Sequence, residues 1–133
     1  MSLVGIVLVS HSAEVALSVA TMARALSGGG ETAPIAAAGG TADGRFGTSA
    51  ELISNAVAEV DQGAGVAVLA DLGSAVLTVK SLIAEGEQLP DGARLVDAPF
   101  AEGAVAALVT ASAGADLDAV AAAATEAYDY RKV

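Results

Sequence analysis

The chain has no cysteine and no tryptophan, a single histidine, three prolines and only six lysines and arginines among its 133 residues. The absence of cysteine rules out a disulfide framework, a thiolate metal site and a cysteine nucleophile. Six cations stand against sixteen Asp and Glu, a net charge of -10, which excludes partners held by their phosphate backbone and therefore nucleic acid. Hydrophobic residues make up 54% of the chain, but they are mostly Ala and Val broken up by charges and glycines. No run approaches the ~20 residues of a spanning helix, so no membrane insertion is expected. No basic stretch precedes the first apolar run, which argues against a signal peptide, and the opening Met1 to Leu3 reads as a cloning remnant before a natural start near Val4. The expectation is one acidic, cytoplasmic domain over 1–133, long enough to bury a core unaided.

What is present alternates regularly. Leu3 to Val9 is a short, unbroken leucine and β-branched run, the pattern of a strand buried on both faces. Ser12 is placed to cap a helix with Val15, Val19, Met22 and Leu26 as its apolar stripe, ended by the glycines 28–30. Pro34 to Ala38 reads as a weaker strand, followed by the loop GGTADGRFGTS from Gly39 to Ser49. Thr48 and Glu51 have capping-box spacing before a helix expected to bury Leu52, Ile53, Ala56, Val57 and Val60. Gly65 to Asp71 is a second strong strand, and after it comes a helix with Val76, Val79, Leu82 and Ile83 as its apolar positions. A short strand over Ala93 to Val96 follows a turn at Pro90 to Gly92, and helices near Ala101 to Ala111 and Asp116 to Tyr128 close the chain. Strands alternating with helices across short connections imply an α/β fold, an open three-layer sandwich with a mainly parallel central sheet.

In such sheets ligands bind beyond the carboxyl ends of the strands, where strand order reverses. His11 follows the first strand, the glycine loop the second, Asp71 to Ser74 the third, and Asp97 to Gly103 the fourth. If the first and third strands are neighbours, His11 comes within reach of Asp71. A carboxylate accepting from one ring N–H leaves the other nitrogen's lone pair free to attack. A serine-protease-like triad of Ser10 or Ser12 with His11 and Asp71 is disfavoured, because adjacent strand-end residues project in different directions. No metal is expected, since one histidine would need several converging carboxylates and the crevice supplies mainly Asp43, Asp71 and Asp97. The economical reading is that His11 itself takes up a phosphoryl group, with Ser12, Thr48, Ser49 and Ser74 at helix-start turns that offer N–H groups and hydroxyls. Each of those four also reads as an ordinary helix cap. The glycine loop is neither a Walker A sequence nor a dinucleotide fingerprint, so ATP or NAD held within the chain is not expected and no cofactor is implied. The loop brings Arg45 towards a phosphate or a partner's surface, or else it is a plain connection.

VSHS after the first strand, GGTADGRFGTS after the second and DLGS after the third, in this order, resemble the mannose-type IIA family of the bacterial phosphotransferase system. Within it they look most like the phosphocarrier subunits of phosphoenolpyruvate-dependent dihydroxyacetone kinases. The resemblance runs from Val4 to about Tyr128. It implies a homodimer whose histidine, His11 here, receives phosphate from the phosphocarrier protein HPr and passes it to ADP on a second subunit, while a third subunit binds dihydroxyacetone. It implies Asp71 as the histidine's support, and it points to Ser12, Gly40, Thr41, Arg45, Gly47, Thr48, Ser49, Gly73 and Ser74 as residues that bind the phosphate or contact partners. The IIA domains of mannose-type transporters share the fold but typically carry a GGSP-like stretch where this chain has DLGSAV; a transporter IIA domain is the alternative. Some relatives carry fused HPr and enzyme I modules, so this chain is expected to rely on separate donor proteins. A receiver-like module phosphorylated on Asp71, and a binding domain with no phosphorylation, are the competing readings from other classes.

Overall fold

The computed structural model describes residues 2–28 and 30–133; Met1 of the supposed remnant and Gly29 of the glycine run lie outside them. Strand β1 spans Gly5–Ser10, helix α1 Ala13–Leu26, β2 Ile35–Gly39, α2 Ala50–Val60, β3 Val66–Ala70, α3 Gly73–Glu85, β4 Ala93–Leu95, α4 Phe100–Ser112 and α5 Leu117–Glu126, followed by a short 3-10 turn over Ala127–Asp129. The four strands form one parallel sheet in the order β2-β1-β3-β4. This is the α/β sandwich expected from the alternation, with the order reversing between β1 and β3.

All six residues of β1 are buried, as its unbroken apolar run requires. Alternation divides them between two cores. Ile6 and Leu8 join Leu69 and the alanines of α1, α4 and α5 on one side. Val7 and Val9 join Val68, Ile53, Val57 and Val79 of α2 and α3 on the other. Both faces of the sheet are therefore covered, and the strand ends are free to carry polar residues.

Several details depart from the sequence pattern, the smallest being Leu52 of α2, expected inside but only half-buried. The buried face of α1 is Ala16, Ala20 and Ala23, while Val15, Met22 and Leu26 are exposed and Val19 is partly buried. The alanines recur with the same helical period as the bulky residues, and their small side chains let α1 lie close against β1, β2 and α4. In α3 the buried residues are Ala75, Val79 and Leu82, with Val76 only half-buried and Ile83 exposed. The cap of α2 is Ser49, whose hydroxyl accepts from Leu52 N–H at 3.2 Å, and not Thr48. Because α2 starts at Ala50, Glu51 is its second residue, one short of the position from which a capping box closes. Thr48 Oγ1 instead shares a hydrogen bond with Thr78 Oγ1 at 3.0 Å.

Candidate functional site

The register Val9↔Ala70 between β1 and β3 brings Ser10 and His11 beside Asp71. Asp71 is anchored by its own N–H, which donates to Val9 O at 3.0 Å. Its carboxylate accepts four hydrogen bonds. Oδ1 accepts from His11 Nδ1–H at 2.9 Å and from Leu72 N–H at 2.8 Å. Oδ2 accepts from the Ser10 hydroxyl at 2.8 Å and from His11 N–H at 3.1 Å. Burial pushes the Asp71 carboxyl up, but the hydrogen bonds from Ser10, the His11 backbone, the His11 ring and Leu72 outweigh it and hold the group below the usual aspartate value. An ionised carboxylate can only accept, so the neutral imidazole beside it keeps its proton on Nδ1 and its lone pair on Nε2.

Nε2 faces the Ser74 hydroxyl, with which it is hydrogen-bonded. Ser74 is the second residue of α3, so the first turn of that helix stands beside the reactive nitrogen. The residue before α3, Leu72, supplies no side-chain cap, and its carbonyl takes the N–H groups of Ala75 and Val76 at 3.0 and 3.2 Å. Among the described residues, nothing accepts the N–H groups of Gly73 and Ser74. Two free amides, a hydroxyl and the positive end of a helix dipole thus lie next to Nε2, which is the chemistry an anion requires. The His11 side chain remains about a quarter exposed, so the histidine sits at the surface and not in the core.

The glycine loop closes over the turn between β1 and α1. Gly40 N–H donates to Ser10 O at 3.0 Å and Gly47 N–H to His11 O at 2.9 Å. Gly39 has no room for a side chain, since a Cβ would lie 2.4 Å from Ser12 O and 2.6 Å from Ala13 Cα. Thr41 holds the loop together. Its hydroxyl accepts from Arg45 N–H at 3.0 Å and donates to Asp43, while its N–H donates to Arg45 O at 2.9 Å. The Arg45 side chain points into solvent at 83% exposure and pairs with Asp43 at 3.3 Å. Ser12 caps α1 through Val15 N–H at 3.2 Å, as expected from its position.

The expected site residues therefore separate into groups. His11, Asp71, Gly73 and Ser74 meet at the switch point, and Gly40 and Gly47 bind the backbone beneath the histidine. Thr41 and Arg45 organise the loop tip, while Ser12 and Ser49 cap α1 and α2 and Thr48 ties the loop end to Thr78 of α3. Ser10, disfavoured by the sequence as a nucleophile, belongs to the site through its hydrogen bond to Asp71. Its position was readable, because Ile6, Leu8 and Ser10 share one face of β1 and a polar residue ends an otherwise apolar row. A cavity of about 440 Å³ opens beside the site between Asp71, Gly73, Lys80, Asp97 and Tyr128. A larger apolar cavity, about 660 Å³ between α1 and α4, is lined by none of the site residues. Among the described residues no group of acidic or histidine side chains has the spacing to hold a metal, and no helix is long and apolar enough to cross a membrane.

Comparison with known proteins gives one consistent family. Residues 5–121 match the EIIA-man family, described as the PTS system fructose IIA component. The phosphoryl donor subunit DhaM of PEP-dependent dihydroxyacetone kinase 2 from Listeria innocua is 33% identical over 108 residues, covering 80% of this chain and 85% of the relative. The DhaM subunit of Escherichia coli is 34% identical over 121 residues, 89% of this chain but 25% of the relative, so the chain spans a quarter of that protein's length. Among solved structures, the crystal structure of EF1359, a protein of unknown function, superposes with a TM-score of 0.81 at 34% identity and 95% coverage of both chains.

Proposed function

The chain belongs to the EIIA-man family as a DhaM-type, IIA-like protein of the phosphotransferase system, and on that premise we propose that it carries a phosphoryl group on His11 Nε2 and delivers it within a dihydroxyacetone kinase. The donor is HPr, the acceptor is ADP bound to a partner kinase subunit, a further subunit holds dihydroxyacetone, and the carrier works as a homodimer. The observation that carries this reading is the placement of His11 between Asp71 on Nδ1 and Ser74 on Nε2. The DhaM relatives support the kinase assignment over a transporter IIA domain.

In the loading step the Nε2 lone pair attacks the donor's phosphorus. The new N–P bond forms as the donor's phosphoryl bond breaks, and the electron pair of that bond leaves with the donor nitrogen. Asp71 keeps the proton on Nδ1 and offsets the positive charge that grows on the ring. The N–H groups of Gly73 and Ser74 and the Ser74 hydroxyl face the phosphoryl oxygens, where charge is highest in the transition state. In the delivery step an ADP β-phosphate oxygen attacks the same phosphorus, and the N–P pair returns to Nε2. The chain's excess of acidic residues suits partners with basic docking faces.

The test is to load the protein with phosphoryl groups, remove the donors, and add an ADP-loaded kinase subunit with its dihydroxyacetone-binding partner. Loss of the label with formation of dihydroxyacetone phosphate is expected. A label retained here but discharged by a membrane sugar-uptake complex would place the chain with transporters instead.

A further inference from the structure

Ser10 is the one buried polar side chain among the described residues, and it is fully buried. Such a group needs a reason to be inside, because a hydroxyl without partners is costly to bury. Both of its hydrogen-bonding roles are filled. Ser12 N–H donates to Ser10 Oγ at 3.0 Å, and the Ser10 hydroxyl donates to Asp71 Oδ2 at 2.8 Å. The backbone on either side is also fixed, since Ser10 O accepts from Gly40 N–H and His11 O from Gly47 N–H. With Ser12 N–H occupying an acceptor position, the hydroxyl proton is directed at the carboxylate.

We infer that Ser10 is a positioning residue for phosphoryl transfer: it locks the Asp71 carboxylate in the orientation that keeps the His11 proton on Nδ1 and the lone pair on Nε2. The inference rests on the reading above that His11 takes up a phosphoryl group. Oδ1 and Oδ2 belong to one rigid plane, so a donor on Oδ2 sets where Oδ1 lies relative to Nδ1. The Leu72 and His11 N–H groups also hold the carboxylate, but both come from the backbone of the turns being positioned. Ser10 instead is held in the core row of β1 behind Ile6 and Leu8, and it fixes the carboxylate from the rigid part of the sheet. Without it, the carboxylate loses its anchor to that row, Ser12 N–H loses its acceptor, and the imidazole is freer to take the tautomer with its proton on Nε2.

The test compares Ser10→Thr, which keeps a hydroxyl, with Ser10→Val, which has the same shape and none; Ser10→Ala, which adds no atoms, decides if the larger side chains disturb the amide spectrum. Because the chain has one histidine, its ring nitrogens give a single set of signals in a long-range proton–nitrogen correlation spectrum, recorded on the high-pH plateau of the ring's titration. Wild type and Ser10→Thr are expected to show protonated Nδ1 and an acceptor-type Nε2, and Ser10→Val and Ser10→Ala a rise in the opposite tautomer. Phosphorylation by phosphoramidate, which needs no docking partner, should slow by about 10- to 100-fold in Val and Ala and be restored by Thr, the scale on which an outer partner orients a reacting group. Unchanged tautomer signals in the Val and Ala variants, with rates within about threefold of the Thr variant, would overturn the inference. A wild-type protein that accepts no phosphoryl group from phosphoramidate or from HPr would instead strike the reading on which it rests, and the tautomer comparison would still decide whether Ser10 orients the ring.

Discussion

Replacing Asp71 with asparagine probes the geometry around His11 without removing any heavy atom from it. The native carboxylate accepts two hydrogen bonds on each oxygen. Asparagine offers one oxygen and one NH₂ group, so one pair of donors must face another donor. With NH₂ in the Oδ2 position it opposes both the Ser10 hydroxyl and the His11 N–H. With NH₂ in the Oδ1 position it opposes only the Leu72 N–H and donates to Nδ1. The second arrangement leaves one donor unmatched instead of two, an advantage of about 1–3 kcal/mol. It also turns Nδ1 into an acceptor and moves the ring proton to Nε2, the nitrogen that has to attack. At about 1.4 kcal/mol per tenfold, the unreactive tautomer then outweighs the reactive one by roughly 5- to 150-fold. The loss of the negative charge opposite the developing ring cation slows the reaction further. The expected total is a fall of about 10²- to 10⁴-fold in the rate of phosphorylation. Rapid-quench incorporation read by intact mass measures the rate, and circular dichroism checks the fold. A fall of less than about threefold in a folded variant would refute the reasoning and reduce Asp71 to a turn-forming residue ahead of α3.

Arg45→Ala should leave the urea midpoint nearly unchanged, within about 0.5 kcal/mol of stability, because its side chain is exposed and paired only across the loop tip. It should still slow transfer from HPr, and wild-type transfer rates in both directions would remove Arg45 from the partner surface. Gly39→Ala should destabilise the fold and lower its melting temperature, since the added Cβ falls within 2.4 Å of Ser12 O; an unchanged melting temperature would show that the loop relaxes freely. Acid titration supplies a fourth test. The folded protein holds Asp71 below the ordinary aspartate value, so its contribution to stability is fully present above the unfolded pKa of about 3.9 and is lost as pH falls through the folded value. Urea midpoints of wild type and Asp71→Asn should therefore differ near neutrality and converge on acidification, and a constant gap down to the acid transition would contradict the shift.

The sheet and the meeting of His11 with Asp71 were legible in the sequence because β1 is an apolar run that ends in Ser10 and β3 is an apolar run followed at once by Asp71. That β1 and β3 are neighbours was a condition of this reading, and the structure supplies both the pairing and its register. The buried face of α1 was not legible. In a chain this rich in alanine, the row Ala16, Ala20 and Ala23 has the same period as the bulky row, and close packing on the sheet decides between them. The cap of α2 was misplaced by one residue because Thr48 and Ser49 are chemically equivalent candidates and only the backbone start at Ala50 separates them. Arg45, expected to reach a phosphate or a partner's surface, extends into solvent at the loop tip and pairs with Asp43, two residues away, a local pairing that its loop position does not reveal. The support from Ser10 depends on the register across β1 and β3, which no local pattern contains.

The most direct measurement of the central claim is the intact mass of the protein after incubation with phosphoenolpyruvate, enzyme I and HPr, beside His11→Ala treated in the same way. The account predicts a gain of one phosphoryl group in the wild type, labile to acid and stable to base as phosphohistidine is, and no gain in the alanine variant. An unchanged wild-type mass, a label that persists in His11→Ala, or one released by hydroxylamine as an acyl phosphate on Asp71 would contradict it.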